Sequence, residues 1–145
     1  MGMSHEGIRE LAASTYNAAF ETVEAADDLP LAIELAATSL HLWRQVGNSQ
    51  NFAIGCWLYS RALAVADVGT LAVQVAAECM QHVSEIENPP DWLVASSLEG
   101  WARALVAAGD ERAAAAIESA RTSIAAILDP SDRALIQSQF SDLKM

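Results

Sequence analysis

Two arginines hold the same place in two similar stretches of this 145-residue chain. Tyr59-Ser60-Arg61-Ala62-Leu63 and Trp101-Ala102-Arg103-Ala104-Leu105 share the order aromatic, small, arginine, alanine, leucine, 42 residues apart. A guanidinium carries planar donors that suit bidentate capture of a carboxylate or another anion. Arg61 is the only charged residue between Arg44 and Asp67, and at helical spacing it stands among Ile54, Trp57, Leu58 and Val65. A cation placed there is costly to desolvate unless something pairs with it. In the plainer arrangement the pairing is internal. Glu99 precedes Arg103 by one helical turn, Glu99 or Glu78 reaches Arg61, and Trp57 stacks on the guanidinium from one turn before it. In the sharper arrangement Arg61 and Arg103 form a fork for an anion. Capping of both guanidiniums by Glu99, Glu78 or backbone carbonyls, with no side open to solvent, excludes the fork.

Other chemistry is thinner. His82 follows Glu78 by one helical turn, and His41 could approach from another helix. Di-iron bundles use paired Glu-x-x-His motifs with further inward glutamates, whereas this spacing is i, i+4 and occurs once. Structural or surface histidines are the plainer reading, so no metal and no cofactor is expected. No local signature of a Ser/His/Asp or Cys/His nucleophile is present, nor a glycine-rich phosphate loop, and the chain reads as a non-enzyme. Cys56 and Cys79 lie inside apolar helical stretches and read as reduced, buried thiols rather than a disulfide. His41 and Trp43 end a helix with Arg44. The helix dipole alone accounts for a cation there, and contact with a ligand or partner is the alternative.

The charge balance narrows the partners. The formal net charge is −11 with eight basic residues, so no clustered basic surface is available for a phosphate backbone. Nucleic acid and anionic membrane surfaces are therefore not expected. No apolar run approaches the roughly 20 residues that span a bilayer, and the start of the chain is polar and charged rather than a secretory signal. The expected compartment is the cytoplasm. Residues 1–3 read as a tag scar or a disordered start, and 4–145 as one domain.

The elements that must position these residues are helices. Alanine makes up about a fifth of the chain, and no alternating Val/Ile run bounded by turns suggests a strand. Ser4 caps a first helix carrying Ile8, Leu11, Tyr16, Ala19, Phe20 and Val23. Asp27-Asp28 ends it, and Pro30 stands in the first turn of a second, which runs to Val46. Gly47-Asn48-Ser49 breaks to a third, over about residues 50–66, apolar on two faces. Phe52, Cys56, Tyr59 and Leu63 lie opposite Ile54, Trp57, Leu58, Arg61 and Val65. The second face must meet another helix, a partner chain or a ligand. A turn at Asp67–Thr70 leads to a fourth helix ending near Glu87. Asn88-Pro89-Pro90 then breaks the chain, and Asp91 caps a fifth. Gly109 suits a left-handed residue past the end of that helix, with Asp110 capping a sixth to Leu128. Asp129-Pro130-Ser131 opens a short seventh through Leu135, Ile136 and Phe140. Past the turns, Ala72 falls on Ala114 and Val75 on Ile117, so two helical hairpins look like copies of one unit. The first hairpin reads as a degenerate third.

Trp101, Ala102 and Leu105 before Gly109-Asp110, with Ala114 after it, follow the spacing of the tetratricopeptide repeat. Tyr59, Ser60, Leu63 and Ala72 do so for the earlier copy, with Asp67 where a turn glycine is usual. The chain resembles a tetratricopeptide-like helical repeat protein over most of residues 4–143, with a period longer than that family's 34 residues. His41-Leu42-Trp43-Arg44-Gln45-Val46-Gly47, Ser60-Arg61, Gly109-Asp110 and Asp132-Arg133 resemble, more narrowly, a group of short uncharacterised bacterial repeat proteins. The resemblance implies an all-α, α-α superhelix of three hairpins with a C-terminal capping helix. It also implies protein or peptide binding in a concave groove, with the Arg61 and Arg103 positions on the groove wall. The expected function is a non-enzymatic interaction module for an unknown protein or peptide, one with an acidic or carboxylate group if the fork operates. Candidate contacts are Arg61, Arg103, Trp57, Glu99, His41 and Trp43. Two rivals stand beside it. One is a homo-oligomeric scaffold with a seam along the second apolar face of the third helix. The other is a metal-dependent or small-molecule-binding bundle.

Overall fold

The computed structural model describes residues 2–143, and these form seven helices and no strand. The reading of residues 1 and 144–145 lies outside the described residues, while Gly2 and Met3 precede the first helix. The helices are α1 (His5–Ala25), α2 (Leu29–Val46), α3 (Ser49–Val65), α4 (Gly69–Ser84), α5 (Asp91–Ala107), α6 (Ala113–Ala125) and α7 (Pro130–Phe140). The caps explain most of these limits. Ser4 Oγ accepts from Gly7 N–H, and Asp28 accepts from Leu31 N–H. Asn48 and Asn51 close a reciprocal capping box at α3, and Asp129 accepts from Ser131 and Asp132 at α7.

Two expected caps are corrected. Asp91 is the first helical residue of α5, not its cap. Its carboxylate accepts from Leu128 N–H at 2.9 Å and so ties the start of α5 to the link between α6 and α7. Asp110 does not cap α6, because its carboxylate grips both the backbone N–H and the guanidinium of Arg112. Helix α6 therefore starts at Ala113 and stops at Ala125, shorter at both ends than its apolar pattern suggests. Helix α4 ends at Ser84 rather than near Glu87.

Consecutive helices pack on one another from α1 to α6. Helix α3 is central and also touches α1 and α5, while α7 lies on α5 and α6. Small residues permit the close approach. Ala12, Ala53 and Ala95 are each fully buried at equivalent places on α1, α3 and α5. Seven residues later Ala19, Ser60 and Ala102 are buried in the same way. The turns after α3 and α5 share one geometry. Asp67 and Gly109 have φ of 63° and 64°, and the next N–H returns to Leu63 and Leu105 respectively.

Past those turns the copies slip by one residue. Ala72, Val75, Ala76, Cys79 and Val83 of α4 match Ala113, Ala116, Ile117, Ala120 and Ile124 of α6 in burial. Ala114, the expected counterpart of Ala72, is exposed. The four consecutive alanines from Ala113 to Ala116 carry no phase of their own, so the turn sets the register.

A groove walled by aromatic rings and closed by a carboxylate with three donors

The alanine anchors fix what faces the inner side of α1, α3 and α5. One turn past each anchor stand Tyr16, Trp57 and Glu99, and one turn further Phe20, Arg61 and Arg103. Glu99 is 1% exposed. Its Oε1 accepts from Trp57 Nε1–H at 3.0 Å and from Arg61 Nη1–H at 3.4 Å. Its Oε2 accepts from Arg103 Nε–H at 2.8 Å. A carboxylate this deeply buried is tolerable only with such partners.

Arg103 completes its set with the C-terminal segment. Nη1 and Nη2 hold Asp142 bidentately at 2.9 and 2.8 Å, and Nη2 also donates to the Gln139 carbonyl at 2.8 Å. Burial works against the Arg103 charge, but the hydrogen bond to Asp142 and the charge of Glu99 outweigh it and raise its pKa. The hydrogen bond from Arg103 holds Asp142 below its ordinary pKa.

Arg61 is held more loosely. Besides Glu99 it reaches the Gln139 carbonyl at 3.5 Å, and its Cζ lies 5.5 Å from the Trp57 ring centroid. Its buried Nε has no hydrogen-bond partner, although Glu24 Oε1 stands 3.5 Å away.

These contacts correct the fork. Glu99 and the Gln139 carbonyl cap both guanidiniums, Asp142 fills the rest of Arg103, and both side chains are only 8% exposed. Glu78 does not reach Arg61; it pairs with Arg44 at 3.2 Å on the surface. His41 is exposed. Trp43 lines a small recess of about 150 Å³ with Tyr16, Asn51 and Ile54.

Next to that recess is a larger cavity of about 440 Å³. Tyr16, Asn17 and Phe20 supply the α1 wall, and Ile54 and Trp57 the α3 wall. Trp92, Leu93 and Ser96 come from α5, and Leu135, Ile136 and Gln139 from α7. The Phe20 and Trp57 rings stack at 6.3 Å and 25°. No wall residue is charged, and burial pushes the Tyr16 phenol up, so the lining stays neutral. The volume falls in the range of small ligand pockets, roughly 300–1,000 Å³.

The remaining candidates are accounted for locally. Both cysteines are free and buried. Burial pushes the Cys56 thiol up to about 12, and the Cys79 thiol donates to the Ala53 carbonyl. His82 sits edge-on to Phe52 with Nδ1 3.6 Å from Glu85. Among the described residues no group of three or more His, Cys, Asp or Glu side chains could hold a metal ion, and no helix is long and apolar enough to cross a membrane.

Tyr16 and Phe20 share a register with Trp57 and Arg61, and that signal was present in the sequence. Ser96, Trp92 and the α7 residues carried none, nor did Glu24, Asp142 or the Gln139 carbonyl, because their places depend on how distant helices dock. No family model matches the chain, and neither a curated protein nor a solved structure matches it.

Proposed function

We propose that the chain is a non-enzymatic interaction module of tetratricopeptide-like design: three helical hairpins, with α7 as the capping helix. The groove bounded by α1, α3, α5 and α7 receives a peptide segment of a partner protein. The observation that carries this reading is the neutral, aromatic-walled cavity of about 440 Å³ between α1 and α7. Such a space takes one or two bulky apolar side chains and gives them the burial that drives most association. The recess beside Trp43 continues the groove along α1 and suits a segment rather than a single compact molecule.

A homo-oligomeric seam along the second apolar face of α3 is the weaker reading: α1 and α5 of the same chain pack on α3, Trp57 is 6% exposed, and Ile54 and Trp57 line the groove itself.

Selection from a displayed peptide library tests the reading, with Ile54→Arg as a plugged groove. Retained peptides sharing a bulky apolar residue, and released by the plug, are the expected result. Retention unaffected by the plug, or none at all, overturns it.

A further inference from the structure

Arg61 is a buried cation whose needs the chain does not meet. Its closest contact to any acceptor is 3.4 Å, whereas all four contacts of Arg103 are 2.8 or 2.9 Å. The Glu99 oxygen nearest to Arg61 already takes the Trp57 indole N–H at 3.0 Å. Nε of Arg61 is buried and donates to nothing, though the residue is only 7% exposed. A guanidinium normally fills such a position with short, charge-assisted bonds. The one acid beside Nε is Glu24, at 3.5 Å, and its side chain is 47% exposed. A half-exposed carboxylate at that distance is an exchangeable neighbour rather than a fixed partner.

Arg61 does not itself line the apolar cavity, but it stands directly behind two residues that do. Trp57 and Gln139 are wall residues, and both touch Arg61. Glu24 follows the wall residue Phe20 by one turn of α1. We infer that Arg61 is the anion anchor of the groove, and that its ligand is a carboxylate carried next to a bulky apolar group. Glu24 is the stand-in that this carboxylate displaces. Arg103 has no part in capture, because four short bonds to Glu99, Asp142 and Gln139 engage all three of its nitrogens and fasten α7 in place. The inference rests on the groove reading and adds the chemistry of the partner: an aspartate, glutamate or terminal carboxylate beside an aromatic or large aliphatic side chain. The acidic surface repels such a partner in general, so Arg61, whose buried Nε has no partner among the described residues, decides where it docks.

Two matched probes separate this inference from the reading beneath it. Naphthylacetate and naphthylacetamide share one aromatic body and differ in charge; binding is followed by the NMR shift of the Trp57 indole N–H. Both bind the wild-type chain if the groove reading holds, and the carboxylate binds more tightly. Glu24→Gln removes the competing acid without touching the core, and it raises the preference for the carboxylate to roughly tenfold, the worth of a short bond to a charged donor. Arg61→Gln, checked for native helicity, abolishes the preference and keeps the amide bound. If Arg61→Gln does not fold, the Glu24→Gln measurement decides alone. Equal binding of the two probes in wild type and in Glu24→Gln overturns the anchor and leaves the groove standing. Binding of neither probe overturns both.

Discussion

At the scale of single residues, Glu99 is the centre on which the inner face depends. It accepts from Trp57, Arg61 and Arg103, and without its charge two buried guanidiniums lose their shared counter-ion. Breaking a buried pair by removing one partner costs about 3–5 kcal/mol. Glu99→Gln is isosteric and is expected to lose about 3 kcal/mol in urea denaturation, with little change in the slope of the transition. A loss below about 1 kcal/mol would show that the guanidiniums are satisfied elsewhere. Asp142 makes a second, pH-dependent prediction. Its pKa is depressed by Arg103, so its contribution is complete above the ordinary aspartate value of about 3.9 and is lost as pH falls through the folded value. Because the side chain is 65% exposed, the contribution is modest, about 1 kcal/mol at most. In an NMR titration at falling pH, the α7 amides of the wild type should shift before the rest of the chain unfolds. In Asp142→Asn that step should be absent.

At the scale of elements, the turns set what the repeats can do. Gly69, the first residue of α4, meets the end of α5 so closely that an added Cβ would lie 2.6 Å from the backbone of Ala108. Backbone cannot step aside as a side chain can, so Gly69→Ala is expected to cost about 2 kcal/mol or more by urea denaturation. Ala26 is the reverse case. It ends α1 in the left-handed region at φ 54°, a conformation that costs a residue with a Cβ about 1–2 kcal/mol. Ala26→Gly should raise the urea midpoint, and an unchanged or lower midpoint would mean that glycine's greater freedom in the unfolded chain cancels the relief. These elements also show what could be read in advance. Local signals placed the helices well: Ser4 caps α1 as expected, the breaks at Asp27-Asp28 and Gly47-Asn48-Ser49 fall between helices, where Asp28 and Asn48 prove to be the caps, and Gly109 turns where expected. The 42-residue match of α3 with α5 holds because both faces are read by the same neighbours. Signals that needed a register failed. The run Ala113–Ala116 looks the same in every phase, and the carboxylates of Asp91 and Asp110 chose partners other than their own helix starts. Asp142 and the Gln139 carbonyl could not be read at all, because α7 brings them to Arg103 across more than thirty residues.

At the scale of the whole molecule, the dominant fact is the surplus of acid. The formal charge is −11, and most of the few cations are already engaged by carboxylates or carbonyls of the chain. Two consequences of added salt oppose each other. Screening weakens exposed pairs such as Arg44–Glu78 and Arg112–Asp110, which are individually worth little. It also weakens the mutual repulsion of the surface carboxylates, which acts across the whole folded surface and favours expansion. The buried set of Glu99 with Arg103 and Arg61 is shielded from ions and changes little. Relief of repulsion outweighs the loss of the pairs, because the excess of acids far outnumbers the exposed pairs. Thermal melts at pH 7 should therefore rise by several degrees as sodium chloride goes from about 0.01 M to about 0.15 M, where the Debye length falls from about 30 Å to about 8 Å. The rise should level off beyond that range, since a screened repulsion cannot be screened further. A melting temperature that falls with salt would mean that the surface pairs, not the excess charge, govern the balance. A rise that continues in proportion to concentration would point to a general salting-out effect on apolar surface.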